Sequence, residues 1–164
     1  MDETSQLPTR DGRVELWRAG DGKWHVSLHP VDPSLFIPLR TCVTTLPPDV
    51  VEAFLEVSFA WLCDHLARHD DPQYIARVLE QQVLAYFLAE EMEDKRWLDF
   101  GCGAGASTLF LASRFPKADV TGVELSERSI GLARRVLAER GFANVRFLPM
   151  ATVSRPVSDA LTTS

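Results

Sequence analysis

Long apolar runs are the first thing missing from this sequence. None approaches the roughly 18 to 20 residues that cross a bilayer as a helix, and the leading MDETSQLPTR is acidic and polar where an export signal would be basic and then apolar. Neither a membrane span nor a secretory leader is therefore expected. Cysteine is scarce too: Cys42, Cys63 and Cys102 are the three in 164 residues, with no C-x-x-C pair. That excludes a disulfide scaffold and a zinc knuckle, and it fits reduced thiols in a cytoplasmic protein. Positive charge is in deficit, with 17 Lys and Arg against 23 Asp and Glu and a net charge of -6. A chain of that sign is a poor neutraliser of nucleic-acid phosphates. No segment repeats at a fixed period, which removes solenoids and propellers.

What is present is the material of one ordinary domain: 164 residues, 46% of them hydrophobic, enough to enclose a core. Acidic residues outnumber basic ones 17 to 8 over residues 1–95, and basic outnumber acidic 9 to 6 over 96–164. The pattern changes at the same place, dividing the chain into an N-terminal part (1–95), a second part (96–150) and a tail (151–164). The tail has six Ser or Thr in fourteen residues and no period, which predicts disorder. In the first part, RVELWRAGDGKWHVSL alternates apolar and polar positions around Gly20, Asp21 and Gly22 and predicts a β-hairpin. Prolines at 30, 33, 38, 47 and 48 then predict an irregular crossing. A helix is expected over 49–68, apolar on so wide a surface that it must dock. A second begins at Asp71 and Pro72, with Ile75, Leu79, Val83 and Tyr86 at helical spacing.

From Arg96 onward short apolar runs alternate with helical patterns. WLDF reads as a buried strand, ASTLFLASRF as a helix stopped by Pro116, and DVTGVEL as a second strand. SERSIGLARRVLAERG reads as a helix capped by Ser126 and closed by Gly141, and NVRFLPM as a third strand. Strands joined through helices run parallel. The predicted fold is α/β: a partial Rossmann-like sheet of three parallel strands, preceded by a β-hairpin and two helices.

The segment WLDFGCGAGAST, residues 97–108, sets Gly101, Gly103 and Gly105 two apart at the join of strand and helix. Such a join brings helix-start amides to the end of the sheet. Bare glycines let a ligand reach the backbone and allow positive φ. Glu124 follows Gly101 by 23 residues, at the end of the next strand, where a carboxylate suits ribose hydroxyls. The ligand implied is a nucleoside. Gly101, Gly103 and Ala106 also satisfy the dinucleotide fingerprint, so a nicotinamide oxidoreductase fragment stays open. Asp99 weighs against it, because a carboxylate just before the turn repels a pyrophosphate and attracts a cation.

This D-x-G-x-G-x-G arrangement, followed by VTGVELS, resembles the class I methyltransferases that use S-adenosylmethionine, over roughly residues 96–150. The resemblance implies that Asp99 orients the loop and the methionine ammonium, and that Gly101, Gly103 and Gly105 line the methionine portion. It implies also that Glu124 binds the ribose and Leu125 flanks the adenine, with S-adenosyl-L-methionine as cofactor. Two departures stand out. The acid usual after the third strand is replaced by Met150 and Ala151. The family's seven-strand order, 3-2-1-4-5-7-6, stops here after three strands. These departures imply a shortened form, through an early stop or a shifted reading frame near Met150, with no nameable catalytic residue and an unknown methyl acceptor. An open sheet edge calls for cover by a second copy or a partner chain, and a nucleoside-binding subunit is the companion reading.

His65 and His69 stand four apart on the first predicted helix. Without a third ligand in view they are read as structural rather than as a metal site. Cys102, inside the glycine loop, has no base suggested nearby and reads as a small residue that fits. The four tryptophans, at 17, 24, 61 and 97, read as packing residues.

Overall fold

The structure, a computed structural model, describes residues 4–153. Its leading half is a four-stranded antiparallel sheet in the order β1 (Thr4–Pro8), β2 (Gly12–Arg18), β3 (Trp24–Pro30) and β4 (Thr41–Thr44). Alternation selects the inner face: Val14 and Leu16 of β2, and Val26 and Leu28 of β3, are buried. The β2–β3 hairpin closes where glycine and aspartate predict it. Gly22 takes φ 78° and donates to the Ala19 carbonyl at 2.9 Å, while Asp21 accepts from the Lys23 amide. The sheet has two more strands than the expected hairpin. β1 is a polar edge strand with no apolar run to mark it. β4 lies inside the proline-rich crossing that had been expected to be irregular.

The helix expected over 49–68 is two helices, α1 (Pro48–Leu55) and α2 (Leu62–Asp70). The Val57 and Ser58 amides both turn back to the Phe54 carbonyl, which ends α1. The following Phe59 is buried in the core, where its ring occupies the place a side chain on Gly12 would need. Packing Phe59 beneath the sheet thus overrides the helical pattern. α3 (Pro72–Gln82) starts where the sequence puts it, with Asp71 accepting from the Gln73 amide at 2.9 Å. A short 3-10 turn (Leu84–Tyr86) and α4 (Ala89–Met92) lead on to the second half.

That half is a parallel sheet in the order β5 (Arg96–Phe100), β6 (Asp119–Glu124) and β7 (Val145–Pro149). α5 (Ala106–Arg114) follows β5, and α6 (Glu127–Arg140) follows β6 with Ser126 at its N-cap and Gly141 in the left-handed conformation at its end. The α/β architecture and its three parallel strands are those read from the sequence. One face is covered: Trp97 packs with Leu111, Phe115 and Val120, and Phe147 with Leu109, Ile130 and Ala133. On the other face Thr121 and Val123 of the central strand are buried, but the β5 residues beside them are not. Leu98 is 58% and Phe100 71% exposed, so β5 is an edge strand bare on one side, not the buried strand expected. Asn144 Nδ2 donates to the carbonyls of Ala112, Phe115 and Ala118, closing the turn between α5 and β6. Residues 150–153 form one helical turn, α7 (Met150–Val153). The tail beyond, for which disorder was expected, lies outside the described residues.

A contiguous apolar cluster joins the two halves, running from Val14, Val50 and Phe54 to Cys102, Leu109, Ile130 and Phe147. A polar tie reinforces it. Arg140, near the end of α6, pairs with Asp70 at 2.8 Å and donates to the Thr45 hydroxyl and the His69 carbonyl. Burial alone would raise the Asp70 pKa, but hydrogen bonds from Thr44, Thr45 and Arg140 outweigh it and hold the carboxyl below its ordinary value.

Candidate functional site

The carboxyl ends of β5 and β6 carry the six residues singled out in the sequence, and the register sets Asp99 opposite Gly122. Gly101, Gly103 and Gly105 all have positive φ, 77°, 54° and 87°. Their reasons for being glycine differ. A side chain on Gly101 or Gly103 would meet open space, so at those two positions the bare backbone faces outward. A Cβ on Gly105 would sit 2.5 Å from Phe147 Cζ. Gly105 therefore lets the turn settle on the sheet, and it is available to a ligand only through its backbone. The Gly101 and Cys102 amides both donate to the Val123 carbonyl, at 2.8 and 3.0 Å, pinning the turn to the end of β6.

Glu124 and the loop are joined directly. One carboxylate oxygen accepts from the Gly103 amide at 3.1 Å, the other from the Leu125 and Ser126 amides at 2.8 and 3.1 Å. The Ser126 amide contributes most to lowering the Glu124 pKa, against a smaller opposing effect of burial, with Gly103 and Leu125 adding to it. A carboxylate offers about four acceptor positions, so roughly one remains for a ligand hydroxyl. Asp99 is half-buried and accepts from the buried Thr108 hydroxyl through Oδ2 at 2.6 Å, while no described hydrogen bond uses its Oδ1. Leu125 is 77% exposed at the rim. The α5 N-terminus begins with Gly105 and has no side-chain cap, leaving first-turn amides for another acceptor. Cys102 points inward; burial first, then the Asp99 and Glu124 charges, pushes its thiol up to about 11. Such a thiol is a packing group and not a nucleophile.

The sequence did not reveal the opposite wall. A cavity of about 190 Å³ lies over Gly101 and Gly103, and its far side is built by His65, Arg68 and His69 of α2 and Ile75 of α3. Both imidazoles are neutral at pH 7: burial is the leading cause of a lowered pKa at each, and His69 falls to about 4. His69 also packs its ring 5.5 Å from that of Phe54. Among the described residues no cluster of three or more His, Cys, Asp or Glu could hold a metal. The spacing of 65, 68 and 69 was the available clue, since it puts three polar groups on one face of the helix. No helix among the described residues is long and apolar enough to cross a membrane.

Parallel strands whose carboxyl ends meet a glycine turn, with an acid on each of two neighbouring strands, form the kind of crevice in which open α/β sheets hold ligands. Comparison with known proteins narrows the class. Residues 98–161 match the family described as a methyltransferase domain. The chain is 36% identical over 86 residues to a malonyl-[acyl-carrier protein] O-methyltransferase of Geobacter sulfurreducens, covering 52% of this chain and 31% of that protein. It is 38% identical over 72 residues to a demethylmenaquinone methyltransferase of Thermus thermophilus, covering 44% and 32%. A solved SAM-dependent methyltransferase from Aquifex aeolicus aligns with 48% of this chain and 46% of its own, at 25% identity and a TM-score of 0.33. The likeness is to methyltransferases, and the family match lies in residues 98–161. The chain spans about a third of the length of these two curated relatives.

Proposed function

We propose that this chain binds S-adenosylmethionine at the glycine loop and takes part in transferring its methyl group to an acceptor. The observation that carries the reading is the meeting of Asp99, the open backbone of Gly101 and Gly103, and Glu124 at the ends of β5 and β6. In this reading Asp99 Oδ1 takes the methionine ammonium, the two bare glycines pass the aliphatic chain, and the remaining acceptor position of Glu124 takes a ribose hydroxyl. Leu125 offers its exposed side chain to the adenine. Electrostatics separates this ligand from a dinucleotide. A phosphate charge held about 5 Å from the Asp99 carboxylate would cost about 3 kcal/mol at an effective dielectric near 20, and an ammonium would gain as much.

The bound sulfonium supplies the methyl group; the chain's own residues hold and orient the nucleoside and amino-acid ends, and alignment is a large part of what a direct displacement needs. The three free cysteines accord with a reducing compartment such as the cytoplasm. The bare face and free edge of β5 favour a second reading, in which the cofactor is bound here and another chain completes the sheet and brings the acceptor.

Calorimetric titration of S-adenosylhomocysteine and of a nicotinamide dinucleotide into the wild type and Glu124→Gln tests the first reading. Binding of the former alone, weakened about tenfold by the substitution as one charged hydrogen bond is reduced, is expected. Heat with the dinucleotide and none with S-adenosylhomocysteine would overturn it.

A further inference from the structure

Two exposed apolar surfaces lie on either side of β5. On the uncovered side of the sheet, Leu98, Thr121 and Leu148 line the bottom of an open hollow of about 340 Å³ that Arg96 and Arg146 border. Strand alternation puts Arg96 and Phe100 on the same side as Leu98, so the apolar floor continues toward the end of the strand and the basic groups stand at its start. Arg146 spends one Nη on Asp119 at 3.1 Å, and Arg96 makes no ion pair among the described residues.

On the covered side, the segment between α3 and β5 leaves the core and returns to it. Leu84 and Met92 anchor it beside Phe115 and Trp97, and Trp97 Nε1 donates to the Met92 carbonyl at 3.2 Å. Between those anchors Tyr86, Phe87 and Leu88 stand in the open, Tyr86 78% and Leu88 66% exposed. The exposed acids Glu80, Glu90 and Glu91 flank them along the chain. Apolar groups gathered in this way with a charged border mark a contact surface.

Charge selects the occupant of the hollow. Two uncovered faces laid together would set the arginines of one copy against those of the other, and like charges across a contact oppose association. The segment 83–91 carries the opposite sign, with apolar side chains for the floor and carboxylates for the guanidinium groups. Symmetry allows both surfaces to be used at once. A two-fold axis running along the free edge of β5 exchanges the two sides of the sheet and keeps the strand direction. The segment, which precedes the start of β5, then meets the end of the partner copy's hollow where the arginines lie, and each copy gives what it receives.

We infer that two copies of this chain form a two-fold dimer in which residues 83–91 of each lie in the hollow over Leu98, Thr121 and Leu148 of the other, with Glu90 facing Arg96. The contact covers the bare side of β5 and is independent of what the glycine turn binds.

Sedimentation equilibrium on the wild type, Arg96→Glu and Glu90→Arg, each checked for folding by thermal melting, tests the arrangement. The wild type is expected to rise from 18.3 kDa toward twice that mass with increasing concentration. Each dimer holds the contact twice, so either reversal alone should weaken association about tenfold. Mixing the two variants should restore it, because every hollow then meets a segment of opposite charge, and so should both reversals in one chain. Tyr86→Ser with Leu88→Ser removes the apolar tip without changing charge, should also weaken association, and stands in for a reversal that does not fold. A wild type that stays at 18.3 kDa at every concentration overturns the dimer. Reversals that leave association unchanged, or that weaken it without rescue on mixing, overturn this mode of contact.

Discussion

Three glycines, two of them against Phe147 and one in the open, separate the cost of a backbone conformation from the cost of occupied space. Gly101 has φ 77° and open surroundings, so Gly101→Ala carries only the left-handed penalty, about 1–2 kcal/mol. Gly122 has no positive φ, but a Cβ there would lie 2.7 Å from the Phe147 ring and 2.9 Å from Cys102 Sγ. Overpacking of that kind costs about 1–3 kcal/mol. Gly105 has both problems, φ 87° and a Cβ 2.5 Å from Phe147 Cζ, so Gly105→Ala should lose about 2–5 kcal/mol. Urea unfolding at constant slope orders the three. Repeating the series in a Phe147→Leu background should bring Gly105→Ala close to Gly101→Ala, leave Gly101→Ala unchanged and lower the cost of Gly122→Ala only in part, because its Cβ would still meet Cys102 Sγ. If Gly105→Ala costs no more than Gly101→Ala, or if the shorter side chain at 147 leaves the gap intact, the steric argument fails.

Acid should weaken the fold in a defined window. The His69 pKa is about 4 in the folded chain because of burial, against about 6.5 unfolded. The unfolded state therefore binds the extra proton first, and stability falls as pH drops from about 6.5 to about 4; His69→Gln should flatten that slope in pH-dependent melting. The depressed Glu124 pKa adds stability that is complete above the ordinary carboxyl range and lost as pH falls through the folded value. Glu124→Gln should remove that lower limb. Removing the Arg140 side chain leaves Asp70, 10% exposed, without its counter-charge. A fully buried pair would cost about 3–5 kcal/mol on breaking; with Arg140 itself 27% exposed, Arg140→Met should cost about 2–3 kcal/mol by urea unfolding. On the bare face, Leu98→Lys with Phe100→Lys should suppress concentration-dependent light scattering; a wild type whose scattering mass is constant with concentration would refute that reading of the edge.

The sequence exposed most clearly the parts governed by short-range chemistry. The strand–glycine–helix join, the Asp71, Ser126 and Gly141 caps, and the Gly20–Gly22 turn each depend on a few neighbouring residues, and the structure places them as expected. What escaped depends on partners far along the chain. β1 is a strand because it lies against β2, with Leu7 opposite Val14, and β4 because Cys42 finds Val26. The break between α1 and α2 exists because Phe59 finds the sheet. The cavity's far wall was hidden for the same reason: nothing local places Arg68 over a glycine more than thirty residues later. The exposure of β5 was missed because an apolar edge strand and an apolar core strand are written with the same letters.

α6 is bolted to the leading half at both ends, by Arg128 to Glu56 at 3.6 Å near its start and by Arg140 to Asp70 near its finish. It behaves as a spacer rod whose length and phase decide how far α2 stands from the glycine turn. One residue inserted midway would rotate everything beyond it by about 100° and lengthen the rod by about 1.5 Å, swinging Arg140 away from Asp70 and widening the gap above Gly103. Drift by insertion should therefore be tolerated in the turn after Gly141 and penalised inside the helix, where phase, more than composition, holds the two halves in gauge.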